Sequence, residues 1–408
     1  MRKPLAILMA VTAVLGVTGQ AAAAPETAGR GTAEAGHRPD TATLQRDADE
    51  LLRLGAPGVL AALSTPRGTV KVRSGFGDTD ARTPVPWNAR FRIGSLTKTF
   101  VAATVLQLVG EGKLSLDDTV DHWLPGLVSG RGNDGRAITV RMLLRHTSGL
   151  HDYVRELPYL FLEKEYGPNR FRTVRPEQAV RLAMRHSPVF APDTDWGYSN
   201  TNYILAGMIV EKVTGHSWQH EVRTRVIEPL GLRHTYAPDT FPFIPGPHAV
   251  GYQRFAEKGL EADPADPRWS EPVDVTVGNP SWGGAAGEMI STTEDGNRFL
   301  RALLGGKVLR PAELAEMKKT VRAGGFDGAW PGVRYGLGLM WAPTSCGGAW
   351  LHGGDIPGFK TRNGVTGDGT RSVMVSVNTQ TMVPQPGVPA PAGDEAADLI
   401  DHALCGTG

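Results

Sequence analysis

Phe91-Arg92-Ile93-Gly94-Ser95-Leu96-Thr97-Lys98 opens the apolar segment that decides the fold of this chain. The segment continues from Thr99 to Val109 and stops at Gly110-Glu111-Gly112. Apolar residues occupy nearly every side of the predicted helix, which indicates that the helix is buried. Because residues three positions apart share a helix face, we expect the Ser95 hydroxyl and the Lys98 amine, in its first turn, to point the same way.

A lysine on a buried helix has a possible chemical purpose. Burial disfavours the charged amine and lowers its pKa, so that Lys98 can accept a proton from Ser95. Free N–H groups at the helix N-terminus, together with the positive end of its dipole, can stabilise an oxyanion. The pattern Ser-x-x-Lys also arises readily by chance. On its own it favours an ordinary structural role, and a catalytic interpretation needs support from further residues.

The composition is that of a large globular protein. The chain has 408 residues, 40% of them hydrophobic, with 43 Lys and Arg against 42 Asp and Glu. It can bury a large core as one domain or as two closely packed ones. The charge balance and the lack of a basic run argue against nucleic acid as a partner.

The first residues have the pattern of an export signal, with two basic residues, an apolar stretch from Leu5 to Val17 and an alanine run before Pro25. We therefore expect a signal peptide over residues 1–24, a flexible leader over residues 25–40 and a secreted, extracellular protein. The apolar stretch is short for a membrane span and no second one follows, so we expect no membrane anchor.

Two cysteines, Cys346 and Cys405, occur in the chain, and export would place them in an oxidising compartment. An even pair then predicts one disulfide, between a late strand and the C-terminal helix. Two separate buried thiols are the alternative. Neither cysteine has a base motif beside it, which argues against a catalytic cysteine.

The spacing of apolar residues predicts an α+β fold, an α/β sandwich in which helices flank an antiparallel sheet and a mostly helical lobe is inserted. We expect one domain over residues 41–406, with a sheet lobe from 41–113 and 283–406 and a helical lobe from 114–282. A capping box at Ser291-Thr292-Thr293-Glu294 opens one helix. The predicted helices cover residues 44–52, 96–109, 174–185, 203–213, 218–227, 293–303 and 396–404, and the predicted strands cover 58–64, 69–76, 335–341, 348–352 and 371–378.

Tyr198-Ser199-Asn200 lies in a loop before an apolar helix and would project a phenol and an amide outward from a rigid support. A tyrosinate beside Lys98 is a reasonable general base, because a nearby positive charge lowers the pKa of a phenol. Asn200 can hydrogen-bond a substrate amide. Taken alone, this tripeptide is an ordinary loop sequence.

His352-Gly353-Gly354-Asp355 follows a short apolar strand. Glycines there let a substrate lie against the strand edge, and an edge N–H can serve as an oxyanion donor. His352 would supply a proton donor or a positive charge. The alternative is a strand end, a glycine-rich turn and a hydrogen-bonded histidine without a catalytic role.

In this order, the three stretches resemble the active-site motifs of the penicillin-recognising serine hydrolases, Ser-x-x-Lys, Tyr/Ser-x-Asn and Lys/His-x-Gly. The resemblance is nearest to class C β-lactamases and secreted serine D-alanyl-D-alanine carboxypeptidases, and it implies a β-lactamase/DD-peptidase-like fold over nearly the whole chain after the leader. The cysteine pair also looks like that of the carboxypeptidases. Further similar stretches are Gly112 to Asp118, His146-Thr147-Ser148-Gly149-Leu150, Gly287 to Thr292 and Tyr335-Gly336-Leu337-Gly338-Leu339.

The resemblance implies a role for each motif residue. Ser95 is the nucleophile that forms an acyl-enzyme, and Lys98 and Tyr198 share the roles of base and acid. The backbone N–H groups of Ser95 and Asp355 form the oxyanion hole. No cofactor or metal is required. The substrate-binding residues are Asn200 for the substrate amide, His352 as the cation of the third motif, Gly353, Gly354 and Asp355 beside it, and Trp282 as a wall of the cleft.

Two features depart from the carboxypeptidase pattern, and both concern the substrate. Met340 stands where these carboxypeptidases place an arginine that pairs with the free carboxylate of the substrate, and Gly353 and Asp355 replace hydroxyl residues. An aspartate near a substrate carboxylate would repel it. Lys360 or Arg362, just past the motif, are candidates to compensate.

We therefore predict a secreted, monomeric serine hydrolase that acts through a Ser95 acyl-enzyme on a small peptide, ester or β-lactam. The leading expectation is D-alanyl-D-alanine carboxypeptidase activity on peptidoglycan stem peptides. An esterase, a D-amino-acid amidase or a β-lactamase is the alternative enzyme. A catalytically silent penicillin or peptide sensor is the alternative outside catalysis, and the complete set of motifs argues against it.

Overall fold

A ten-stranded antiparallel sheet forms the centre of the fold. The computed structural model describes residues 41–261 and 268–406, so the predicted signal peptide and leader lie outside the described residues. The helices are α1 (Thr41–Arg53), α2 (Thr97–Gly110), α3 (Val120–Trp123), α4 (Val140–Arg145), α5 (Glu163–Asn169), α6 (Pro176–Ala183), α7 (Asn200–Thr214), α8 (Trp218–Val222), α9 (Glu228–Leu230), α10 (Gly284–Gly287), α11 (Thr293–Leu304), α12 (Pro311–Met317) and α13 (Ala397–Cys405). The strands are β1 (Gly58–Thr65), β2 (Gly68–Asp78), β3 (Thr83–Pro84), β4 (Phe91–Arg92), β5 (Ser129–Gly130), β6 (Asn133–Asp134), β7 (Tyr252–Gln253), β8 (Val273–Asp274), β9 (Ile290–Ser291), β10 (Val321–Arg322), β11 (Arg334–Tyr335), β12 (Met340–Ala342), β13 (Ala349–Leu351), β14 (Gly354–Ile356), β15 (Phe359–Val365) and β16 (Ser372–Val377).

The sheet joins the two ends of the chain. Its strand order is β10-β11-β12-β13-β15-β16-β1-β2-β3, with β14 paired to β15. Strand β1 lies between β16 and β2, and Val59 pairs with Val377 on one side and with Ser74 on the other. The strands are antiparallel and helices flank them, which confirms the predicted fold class.

Alternate residues of the central strands face two different helical layers, as the two-residue period of a strand requires. Val375 faces α1 and α13, whereas Met374 faces the larger core that contains α2, α7 and α11. Helices α1 and α13 also contact each other, and the His402 ring bonds the Asp47 carboxylate at 2.9 Å. The described start and end of the chain therefore share the sheet face that lies opposite α2.

Helix α2 is buried along most of its length, as its sequence predicts. Ser95, however, lies in a 3-10 turn over Gly94–Leu96 and not in the α-helix itself. Gly94 has a φ of +51°, a left-handed conformation that favours glycine. The turn places Ser95 directly before the first turn of α2.

Other predicted elements are present with small corrections. The cap of α11 is Thr292, whose hydroxyl accepts from the Asp295 N–H, one residue later than the predicted capping box. Cys346 and Cys405 form the predicted disulfide, which joins the loop before β13 to α13. The predicted strand over residues 335–341 is instead a hairpin, in which Tyr335 of β11 pairs with Met340 of β12. Strand β15 has no counterpart among the predicted strands.

Candidate active site

Three side chains meet at the start of α2. The Ser95 Oγ lies 2.7 Å from the Tyr198 hydroxyl and 3.0 Å from the Lys98 Nζ. Ser95 belongs to the 3-10 turn, Lys98 to the first turn of α2, and Tyr198 to the loop before α7. The structure thus brings together the three residues predicted to be catalytic.

Lys98 is fully buried, and its Nζ has three close neighbours. It lies 2.7 Å from the Ala286 carbonyl oxygen, 2.8 Å from the Asn200 Oδ1 and 3.0 Å from the Ser95 Oγ. Two of these neighbours can only accept a hydrogen bond, whereas the serine hydroxyl can also donate one. A neutral amine therefore satisfies the site if it donates two hydrogen bonds and accepts the third from Ser95.

The neutral form of Lys98 is accessible near neutral pH. Burial lowers the pKa of Lys98 to about 7, against the opposing effect of the Asp152 carboxylate. Lys98 is therefore suited to take the Ser95 proton.

Tyr198 has the opposite shift from the one predicted. Burial raises the pKa of its hydroxyl, and the nearby Asp152 and Asp355 carboxylates add to the rise against the hydrogen bond with Ser95. A neutral phenol donates to the Ser95 Oγ in this geometry. This direction contradicts the expectation of a tyrosinate base, because burial and the two carboxylates all disfavour the phenolate.

Asp152 is a buried neighbour of Asn200 that the sequence interpretation did not single out. Its carboxylate accepts from the Asn200 side-chain amide at 3.0 and 3.3 Å and from the Asn200 backbone N–H at 3.2 Å. It also caps the 3-10 helix Tyr153–Glu156. These contacts fix the Asn200 amide so that its oxygen faces Lys98. The sequence offered one signal for Asp152. It stands two residues after the stretch His146-Thr147-Ser148-Gly149-Leu150, which is similar to the same family.

His352 is a neutral ring in this structure. Burial, followed by the positive charge of Lys98, lowers the pKa of His352 to about 3. Its Nε2 lies 2.7 Å from the Tyr335 hydroxyl and its Nδ1 lies 2.8 Å from the Gly353 carbonyl oxygen. The carbonyl can only accept, so Nδ1 carries the proton and Nε2 accepts from Tyr335. His352 therefore does not supply the predicted cation of the third motif.

His146 lies beneath Tyr198. The two rings are 4.4 Å apart between centroids, and His146 is fully buried. Its Nδ1 lies 3.0 Å from the Asn202 side-chain nitrogen and 3.3 Å from the Ser199 N–H. Burial lowers the pKa of His146, so a neutral ring supports the tyrosine from below.

Strand β14 runs directly against the serine turn. A Cβ added at Gly354 would lie 2.0 Å from the Ile93 carbonyl oxygen and 3.0 Å from the Ser95 backbone nitrogen. Only glycine fits this approach. The glycine thus allows the strand backbone to reach the nucleophile.

The pairing of β14 with β15 indicates the direction of the Asp355 N–H. Ile356 and Phe359 enclose a two-residue turn, which makes them a hydrogen-bonded pair. The next pair, Asp355 with Lys360, is then the non-hydrogen-bonded one. The Asp355 N–H therefore points away from β15, on the side where Ser95 lies.

A charged group borders the site. Arg362 donates from Nη1 and Nη2 to the Asp355 carboxylate at 3.1 and 3.2 Å and from Nε to Asp394 at 2.5 Å. The Asp355 side chain is 44% exposed, whereas those of Arg362 and Asp394 are 10% and 3% exposed. Although burial acts to raise it, the charges of Arg362 and Lys360 hold the pKa of Asp355 below its usual range. Lys360 itself bonds Glu395 at 2.7 Å.

These groups open into a cavity of about 300 Å³ that Ser95, Tyr198, Asn200, Trp282, His352, Gly353 and Asp355 all line. Gly354 lies behind this lining, against the serine turn. Much of the wall is apolar and includes Met340, which is 4% exposed. Among the described residues, the side-chain groups able to hold a metal ion lie outside this cavity. The remaining apolar lining includes Leu160, Phe161, Phe326 and Trp330.

Comparison with known proteins identifies the relatives of this chain. A family model described as Beta-lactamase matches residues 41–398. The chain belongs to the β-lactamase family. Penicillin-binding protein 4 of Amycolatopsis lactamdurans is 31% identical over 70% of this chain and 71% of that protein. With penicillin-binding protein 4* of Bacillus subtilis, at 32% identity, the match spans only 33% of that relative's length.

Solved structures similar to this β-lactamase-family chain include two proteins whose names specify D-configured substrates. A D-stereospecific amidohydrolase from a Streptomyces species has 38% identity and a TM-score of 0.79, over 91% of this chain and 100% of that one. The D-amino acid amidase of Ochrobactrum anthropi, bound to D-phenylalanine, has 28% identity and a TM-score of 0.75, over 89% and 98%.

This member of the β-lactamase family is a serine hydrolase. In the described residues, none of its helices is both long and apolar enough to cross a bilayer.

Proposed function

We propose that this serine hydrolase is a secreted amidase that cleaves amides of D-amino acids whose amino group is free. The observation that carries the proposal is the charge at the edge of the cavity. Asp355 and Asp394 share one guanidinium, Arg362, so the three groups carry a net negative charge. Asp355 is the exposed member, and its carboxylate offers an ammonium group a charge-assisted hydrogen bond.

The same charges disfavour a carboxypeptidase. The leading expectation of D-alanyl-D-alanine carboxypeptidase activity requires a cation for the carboxylate of the leaving group. Met340 is apolar, Arg362 is bonded to two carboxylates, and Lys360 is bonded to Glu395. Since His352 is neutral as well, none of these groups supplies the needed charge.

The similar solved structures support the D-configuration, since their names specify D-stereospecific and D-amino acid substrates. The disulfide is consistent with the predicted export.

In the proposed acylation step, neutral Lys98 removes the proton from the Ser95 hydroxyl as Oγ attacks the carbonyl carbon. The oxyanion forms beside the N–H groups of Ser95 and Asp355, which hydrogen-bond the developing charge. The carbon–nitrogen bond then breaks, and the leaving nitrogen takes a proton from the Tyr198 hydroxyl. The ammonium of Lys98 restores the proton balance of the site. The products are an ester on Ser95 and a free amine.

Water completes the reaction in a second step. It loses a proton to neutral Lys98 by way of the Tyr198 hydroxyl and attacks the ester carbon. The bond to Ser95 Oγ breaks, Oγ regains a proton, and the acid is released. Asn200, held by Asp152, keeps Lys98 oriented and can bind the amide of the substrate in both steps.

The test compares D-phenylalanine amide with its N-acetylated form and with L-phenylalanine amide. We expect turnover of the D-amide with a free amine, none with Ser95→Ala, and slower turnover of the L-amide. A hydrogen bond to a charged group contributes roughly 1.5–3 kcal/mol. Asp355→Asn should therefore lower kcat/KM for the free amine by about tenfold or more and leave the N-acetylated substrate nearly unchanged. Asp80→Asn, at an exposed position, is the matched control.

An equal effect of Asp355→Asn on both substrates would rule out recognition of the amine. Faster cleavage of the last peptide bond in D-alanyl-D-alanine peptides with a free C-terminus than in amidated ones would favour the carboxypeptidase. A simple ester turned over much faster than every amide would favour an esterase. A fluorescent penicillin distinguishes the rest, since rapid turnover of the Ser95 label indicates a β-lactamase, and a stable label without amide turnover indicates a sensor.

A further inference from the structure

His151, Glu156 and His186 form a second cluster of chemically active side chains, outside the cavity that contains Ser95. The Glu156 Oε1 lies 3.0 Å from the His151 Nε2 and 3.0 Å from the His186 Nε2. All three potential ligand atoms lie within 4.8 Å of one another. The two imidazole rings are stacked with centroids 4.0 Å apart, so both rings present the same nitrogen toward one carboxylate.

We propose that these three residues bind a transition-metal ion such as Zn²⁺. Two imidazole nitrogens and one carboxylate are ligands that zinc uses in proteins, at about 2.0–2.2 Å. Donors at the corners of such a tetrahedron lie roughly 3.3 Å apart. The two 3.0 Å separations match this within a few tenths of an ångström, and the two histidine nitrogens lie within 4.8 Å of each other.

The backbone on both sides of the cluster is held in place. The hydroxyls of Ser199 and Thr201 donate to the His151 carbonyl at 3.2 and 2.7 Å. The Asn133 side-chain amide donates to the His186 carbonyl at 2.8 Å. Glu156 ends the 3-10 helix that Asp152 caps. The backbone that carries the three side chains is thus anchored before any ion binds, which reduces the ordering that binding requires.

Exposure and charge define which ion the cluster suits. The side chains of His151, Glu156 and His186 are 16%, 26% and 40% exposed, so solvent reaches the cluster. Three arginines line the neighbouring cavity with Glu156, and they are Arg172, Arg181 and Arg185. A single carboxylate near these cations is a poor site for Ca²⁺ or Mg²⁺, which depend on several oxygen ligands. Imidazole nitrogens retain their affinity for zinc, cobalt and copper.

The position of the cluster gives the ion a role in the active site. Tyr153 and Val154, from the 3-10 helix between His151 and Glu156, line the cavity that contains Ser95. A bound ion would tie this helix to the segment after α6. It would therefore stabilise the wall of the cavity without taking part in the chemistry.

The experiment uses tag-free, chelator-treated protein titrated with ZnCl₂ by calorimetry and with CoCl₂ by visible absorption. We expect one ion per chain, a Co²⁺ spectrum of low coordination number and a Zn²⁺-dependent rise in Tm that CaCl₂ does not produce. His186→Ala should weaken zinc binding by at least about tenfold. His216→Ala is the control, because it lies in another histidine group whose Glu221 is bonded to Arg225.

Because His186 is partly exposed, we expect His186→Ala to fold. Circular dichroism and the Tm of the metal-free variant check this. His151→Gln and Glu156→Gln provide independent tests of the same site. Undetectable binding at a several-fold excess of metal would overturn the proposal. Unchanged binding in these variants, or loss of binding only in His216→Ala, would also overturn it.

Discussion

Replacement of Asp152 by asparagine should shift the pH dependence of catalysis toward lower pH. Lys98 acts as a base only when neutral, and its pKa is about 7. The fraction of neutral Lys98 is then about one tenth at pH 6 and about nine tenths at pH 8. We expect kcat/KM of the wild type to rise through this range and to level off above it.

The size of the shift follows from the geometry. Asn200 separates the two charges, with 2.8 Å from Lys98 to its Oδ1 and 3.0 Å from its Nδ2 to Asp152. The charges are therefore roughly 6–7 Å apart, and at an effective dielectric constant near 20 they interact by roughly 2 kcal/mol. An anion favours the ammonium form, so its removal lowers the pKa of Lys98. The midpoint of the profile should move down by about one to two pH units.

The assay is the pH profile of kcat/KM on an uncharged ester, normalised to its value at high pH. Normalisation is needed because Asp152→Asn also loosens Asn200, which lowers the high-pH value of kcat/KM. Asp193→Asn is the control, since Asp193 bonds Arg145 and asparagine tolerates its positive φ. His352 cannot produce the limb, because its pKa is about 3. A midpoint that stays in place or moves up in Asp152→Asn would refute the assignment of Lys98 as the base.

Three further predictions concern stability. Lys98→Met should raise the midpoint of urea unfolding most below pH 7, and this gain should vanish toward pH 10.5. The reason is that the pKa of Lys98 in the folded protein lies below its ordinary value of 10.5, so the buried charge costs stability at low pH. A gain that does not vary with pH would contradict this. Gly354→Ala should lower the stability by roughly 1–3 kcal/mol and abolish turnover, since a Cβ there meets backbone at 2.0 Å, whereas Gly367→Ala, with room for a Cβ, should behave as wild type. The disulfide closes a loop between residues 59 positions apart, so its loss in Cys346→Ser should lower the free energy of unfolding by about 4 kcal/mol in a denaturant titration. Reduction of the wild type should have the same effect.

The strongly patterned elements were predictable from the sequence. Helix α2, strand β1 and the final helix α13 have apolar residues at regular spacing, and the structure places them where the spacing indicates. The meeting of Ser95, Lys98 and Tyr198 was also predictable. The spacing along α2 and the order of the motifs along the chain can both be read from the sequence.

Strand β15 was missed for a physical reason. Its sequence includes Lys360, Arg362 and Asn363, residues that usually avoid a core. All of its residues are nevertheless buried, because Lys360 and Arg362 are paired with carboxylates from the segment before α13. Such pairing over long sequence distance cannot be read from the local pattern.

The charge states of the Tyr198 and His352 side chains could not be predicted from the sequence either. A tyrosinate at Tyr198 and a cationic His352 were reasonable expectations from the types of residue and their neighbours. Complete burial decided both in the other direction, since desolvation disfavours the charged form of each side chain. Asp152 was missed because its contact with Asn200 joins residues 48 positions apart, and only its place shortly after His146-Thr147-Ser148-Gly149-Leu150 hinted at the site.

The packing of α1 against α13 has a consequence for how the enzyme can be handled. Both helices cover the sheet face opposite α2, and Asp47 and His402 bond across them. If the protein is attached to a solid surface through either helix, the attachment point lies on the side away from α2. The entrance of the catalytic cavity then stays open to solution. The same proximity makes a short peptide between α13 and α1 a practical closure for a circularly permuted variant, whose new ends can be cut into a surface loop.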